Sequence, residues 1–298
     1  MPARSVTSAL GLFLALGLGF TLSPGLVGDA QARAEAVQAQ TVVDAGRIAG
    51  LTETMMMGDI IAVMREEGLT YGRTLATEMF PGKGGAQWDM VVSLIYDTDT
   101  MRKRFDAAML DAMQGAGDDL GAIETFFGSE QGQAILKLEV EARRALLDQD
   151  VEDAAKLSWE DLRAEGGARV EKLIRFAEVN DLIESNVMGA LNSNLSFYRG
   201  LSESGAFPQE MTEDQMLSDV WGQEADVRAD TTDWLFPFLA LAYQPLSDDG
   251  LDAYLAFSES AAGQRMNSAL FAAFDEVFTQ ISYDLGRAAA KQMLGEDI

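Results

Sequence analysis

The chain has 298 residues, 48% of them apolar, and carries 22 basic against 48 acidic residues for a formal net charge of −26. It contains neither Cys nor His, which excludes disulfides, thiolate chemistry and any mechanism that needs an imidazole from this chain. So much negative charge repels phosphate backbones and anionic lipid heads, and nucleic acid is therefore not an expected partner.

The N-terminus reads as a secretory signal peptide over residues 1–34. Arg4 precedes an apolar run from Ala9 to Leu22, and Ala30-Gln31-Ala32 and Ala32-Arg33-Ala34 supply small-residue cleavage sites. The run is short for a membrane span, which needs about 20 residues. Cleavage would remove Arg4, Arg33 and Asp29, two cations and one acid, and move the net charge from −26 to −27. The expected location is the periplasm, with membrane contact only through the signal peptide before cleavage.

Beyond it, apolar residues recur at spacings of three and four. Leu173, Phe176, Ala177, Ile183, Val187 and Leu191 trace one face, interrupted by Asn180, and Met266, Leu270, Ala273, Val277 and Ile281 trace another. Period-two runs of β-branched residues are scarce, so the expected class is all-α. An internal repeat accompanies the helical pattern. At an offset of 131, "LGAIETFFGSEQGQ" (120–133) falls on "LDAYLAFSESAAGQ" (251–264), and "LTETMMMG" (51–58) falls on "LIESNVMG" (182–189). The expectation is a pseudo-duplicated multi-helix bundle, with copies at 37–166 and 167–298 separated at Gly166-Gly167.

The repeated stretch has the form of a helix corner. Phe126 and Phe257 end one helix, and Ser129 and Ser260 stand where an N-cap belongs. Gly132 and Gly263 fall in the first turn of the next helix, where a missing Cβ permits close packing, and Gln133 and Gln264 follow. A functional alternative makes the two glutamines ligand contacts, or uses the helix N-termini as anion sites. Because the corner is written twice, the architectural reading is the stronger. With "DDLGAIETFFGSEQGQ" and "LSDDGLDAYLAFSESAAGQRM" in view, the chain resembles the domain-of-unknown-function 2059 family in both copies. That resemblance implies a secreted, all-helical protein of Gram-negative bacteria and carries over no catalytic residue.

Other candidates read as structure. Asp97 and Asp99 in "YDTDT" lack the glycine and terminal glutamate of a calcium loop and suit helix capping. Met55, Met56 and Met57 suit core packing better than soft-metal binding. Thr212 with Gln215 has capping-box spacing. Adjacent acids such as Glu66-Glu67, Asp118-Asp119 and Asp248-Asp249 diverge on a helix and are not the facing pair that glycoside cleavage needs. The run "DWLFPFLALAY" (233–243) is apolar enough to line a cavity. No pattern calls for a cofactor or metal. The expected function is a non-enzymatic binding or interaction module that takes an unknown periplasmic protein or an apolar ligand in a groove between the copies. The alternative is a carboxylate-dependent hydrolase acting on envelope polymers. A purely structural envelope protein is a third possibility.

Overall fold

A computed structural model describes residues 43–207 and 211–295. The signal peptide expected at 1–34 lies outside the described residues. The described residues form thirteen α-helices and no strand, an all-α protein. The first six are α1 (Ala45–Thr54), α2 (Met57–Met79), α3 (Ala86–Ile95), α4 (Thr98–Ala112), α5 (Asp118–Gly128) and α6 (Glu130–Ala145). A connector, α7 (Gln149–Glu165), leads to α8 (Ala168–Val179), α9 (Leu182–Glu203), α10 (Glu213–Trp221), α11 (Glu224–Tyr243), α12 (Asp248–Glu259) and α13 (Ala261–Leu294). None of these helices is long and apolar enough to cross a membrane.

Local chemistry sets the boundaries. Asp97 accepts from the Thr100 N–H and caps α4. Thr212 and Gln215 exchange bonds in a capping box at the start of α10. Between α7 and α8, Gly166 and Gly167 take φ of 71° and 101°, left-handed values that favour glycine. Arg65 donates to the carbonyls of Ser93 and Tyr96 and so satisfies the last turn of α3.

Helices α1–α6 and α8–α13 follow one another in the same order, with a left-handed residue in the same place in each series. Met56 (φ 55°) joins α1 to α2, and Asp181 (φ 47°) joins α8 to α9. This corrects the register expected for the first block. The structure aligns α1 with α8 at an offset of 125, so that Met56 meets Asp181. Buried Ile48, Leu51, Thr52, Met55 and Met57 then match buried Leu173, Phe176, Ala177, Asn180 and Leu182. The pairing of "LTETMMMG" with "LIESNVMG" had placed the end of one helix on the start of another. The apolar face read across Asn180 is likewise two helices. Asn180 stops α8 by donating its own amide to the Phe176 carbonyl, and Asp181 turns the chain.

The hydrophobic cores cross the chain midpoint. Side chains of α1–α5 share one core with Met266, Leu270, Phe274, Val277, Ile281 and Leu285 of α13. The second core combines α8, α11 and α12 with Ile135 and Ala142 of α6 and Trp159 of α7. Each half therefore closes its interior with a helix from the other. Helix α13 also crosses α9 at close range. A Cβ on Gly286 would lie 2.2 Å from the Phe197 carbonyl oxygen, and one on Gly200 would lie 2.3 Å from that of Tyr283.

Candidate functional site

The two repeated corners carry matching bonds. Ser129 accepts from the Gly132 N–H at 3.0 Å, and Ser260 accepts from the Gly263 N–H at 3.1 Å. Each hydroxyl also donates back to the preceding helix, to the carbonyls of Phe126 and Phe257, both at 2.6 Å. A Cβ on Gly132 or Gly263 would lie 2.2 or 2.0 Å from those same carbonyl oxygens. The helix that approaches so closely is thus the one just completed. Gln133 donates its amide to the carbonyls of Thr54 and Phe127, at 2.9 and 2.7 Å, and Gln264 donates to those of Val179 and Ser258, at 3.0 and 2.7 Å. Thr54 and Val179 are the last residues of α1 and α8, whose final carbonyls have no partner within their own helices. Both glutamines are therefore C-terminal caps supplied from a distance. Phe126 and Phe257 stack on each other, centroids 3.9 Å apart and planes 6° apart.

Beside that stack, where the halves meet, lies an apolar pocket of ≈ 50 Å³, room for a few water molecules or a small organic group. Met55, Met57, Ile60 and Leu136 line it from the first half, and Phe176, Tyr243, Tyr254, Leu270 and Phe274 line it from the second. Two polar residues break the apolar wall, Glu139 and Arg143, one turn apart on α6.

Glu139 keeps some accessible surface, yet its carboxyl is crowded by protein. Burial pushes it up from 4.5 to about 7, against the opposing hydrogen bonds of two tyrosines. Those bonds run from the Tyr243 and Tyr254 hydroxyls to Glu139 Oε1, at 2.6 and 3.1 Å. Burial, with the neighbouring Glu139 charge, holds both phenols well above their usual range, so they act as donors. No hydrogen bond or ion pair within the described residues reaches Oε2.

The Arg143 side chain is 2% exposed. Its Nε and Nη2 form a fork to the two oxygens of Glu67, at 3.0 and 2.8 Å, and its guanidinium faces the Trp234 ring at 5.9 Å. Its Nη1 is buried with no hydrogen-bond acceptor. A buried donor left without an acceptor costs about 1–3 kcal/mol.

The offset of 131 that aligns the corners sets Glu139 on Leu270 and Arg143 on Phe274. It also sets Tyr254 on Ile123. The polar cluster exists only where the first half departs from the second. Sequence reasoning did not single out Glu139 or Arg143. The signal that would have found them is this substitution of acid and base for Leu and Phe at matched core positions. The run 233–243 does contribute to the site, through Tyr243 and through Trp234 beneath Arg143. The eight corner residues are brought together as caps and packing contacts, and the pocket is built from others. Among the described residues no group of three or more acids stands close enough to hold a metal ion.

No family model, no curated protein and no solved structure matches the chain.

Proposed function

We propose that this chain is a secreted periplasmic binding protein, without catalytic chemistry of its own, that takes an apolar ligand at the junction of its two halves. The observation that carries this reading is the placement of Glu139 and Arg143. An acid and a base stand where the matched positions hold Leu and Phe, in a pocket that is otherwise apolar, and Arg143 retains a buried donor without an acceptor. Buried polar groups left unsatisfied are unfavourable in a core that serves folding alone. A few convergent polar groups in an apolar concavity are the common form of a ligand site. The hydrolase alternative gains nothing from this pocket, in which Glu139 is the only acid among the lining residues. Glu67 reaches it only through Arg143, which holds both its oxygens.

The same reading makes the halves products of a tandem duplication within the domain-of-unknown-function 2059 family. Matching caps, matching glutamine bonds and matching left-handed joints support that origin. The test is native mass spectrometry of the mature protein taken from the periplasmic fraction of the cells that make it. The expected spectrum shows a chain starting after residue 34 with a small apolar molecule bound, lost in a Glu139→Leu variant. A chain recovered only bare, with no molecule in its organic extract, removes the reading.

A further inference from the structure

We infer that the junction pocket is a site for a short aliphatic monocarboxylic acid, its carboxyl group set between Arg143 and Glu139 and its chain against Met55, Met57, Leu270 and Phe274. This rests on the reading of the pocket as a ligand site and adds the chemistry of the ligand. The open valences decide the head group. Arg143 Nη1 is a donor without an acceptor. Glu139 takes its tyrosine bonds on Oε1, which leaves Oε2 open to a ligand or to solvent, and its carboxyl is within reach of a proton near neutral pH. A pure hydrocarbon would leave Arg143 Nη1 unsatisfied. An amine would meet the Arg143 cation. A phosphate or a sugar needs more polar partners than the two that line the pocket. A carboxylate accepts from Nη1 with one oxygen and shares one proton with Glu139 Oε2 through the other. The volume of ≈ 50 Å³ limits the body to a few carbons, and the methionine side chains can adjust to it.

The bound proton makes the affinity depend on pH. The ionisable and charged groups that face Glu139 are Tyr243 from α11, Tyr254 from α12 and, through Arg143 on its own helix, Glu67 from α2. The tyrosines stay protonated, so Glu139 is the group that takes up the proton. A carboxylate ligand therefore binds more weakly as the pH rises past about 7, by up to about ten-fold per unit.

The experiment titrates the full mature chain with butyrate, butanol and butylamine at pH 6 and pH 8. Binding is followed by calorimetry and by the fluorescence of Trp234, which stands against Arg143. The expected result is binding of butyrate alone, with proton uptake and at least ten-fold tighter at pH 6. Glu139→Gln keeps a donor at Oε2 and should bind butyrate with no dependence on pH. Glu139→Leu, the residue of the matching position, should lose binding at least ten-fold while circular dichroism stays helical. Butanol or butylamine binding as well as butyrate, or butyrate binding equally at both pH values, would overturn the carboxylic acid and leave the ligand site standing. No response to any of these three compounds at either pH would remove both.

Discussion

At Glu139 the folded protein holds a proton that the unfolded chain has already released. The folded value, about 7, lies above the ordinary 4.5, so stability falls as pH rises through that interval and stays lowered above it. The full effect is roughly 3 kcal/mol. Glu139→Gln keeps the tyrosine bonds and removes the titration. It should exceed the wild type in urea resistance at pH 8, and the advantage should shrink towards zero near pH 4.5. An advantage that does not change with pH would show that the carboxyl is not buried as described. The two distant glutamines allow a matched comparison. Gln133→Ala and Gln264→Ala each strip two backbone carbonyls of a donor, and each should lower stability by about 1–3 kcal/mol in thermal or denaturant melts. Similar losses at the two sites are expected because the bonds match one for one.

Among the elements, the crossing of α9 on α13 is the closest approach of backbone to backbone away from the corners. Gly286→Ala would force a methyl group to within 2.2 Å of the Phe197 carbonyl oxygen. Backbone cannot give way as a side chain tip does, so the expected loss is about 3 kcal/mol, read as a lowered denaturant midpoint. Gly121→Ala, with open space at the Cβ, is the control that should be neutral or slightly stabilising. The helices themselves were legible in the sequence because the three-and-four spacing, the cap at Thr212 and the Gly166-Gly167 break are local signals. What was not legible was the joint at Met56 and Asp181. Met56 is not a usual left-handed residue, and Asp181, though of an enriched type, stands inside an apolar helical pattern with no glycine to mark a break, so the two helices read as one. The register at 131 held at the corners and failed before them, because the connections within the two halves differ in length. The pocket escaped for a different reason. Glu139 and Arg143 sit on a helix rich in charge, and only the fold shows which of its charged residues turn inward.

At the scale of the whole molecule, the exchange of helices between cores decides how the chain can be divided. The first half supplies α6 and α7 to the second core, and the second supplies α13 to the first. Residues 43–166 or 167–295 produced alone should lack compact structure, with weak near-ultraviolet dichroism and easy proteolysis. Mixed together they should regain both and elute as one species. A first half that melts cooperatively by itself would show that its core does not need α13. A deletion from residue 261 onward should likewise unfold the region around Phe105, Leu120 and Phe127, far back in the sequence.

The position of α13 after every other described helix also sets a schedule. A ribosome delivers residues in order, and the helix that seals the first core arrives after all the other described helices. Until then Met57, Ile61, Met64 and Phe105 face water or a chaperone, and the first half waits open through the synthesis of the second. Closure of the first core is thus a late event, and a message truncated before residue 261 yields a chain in which that core stays open.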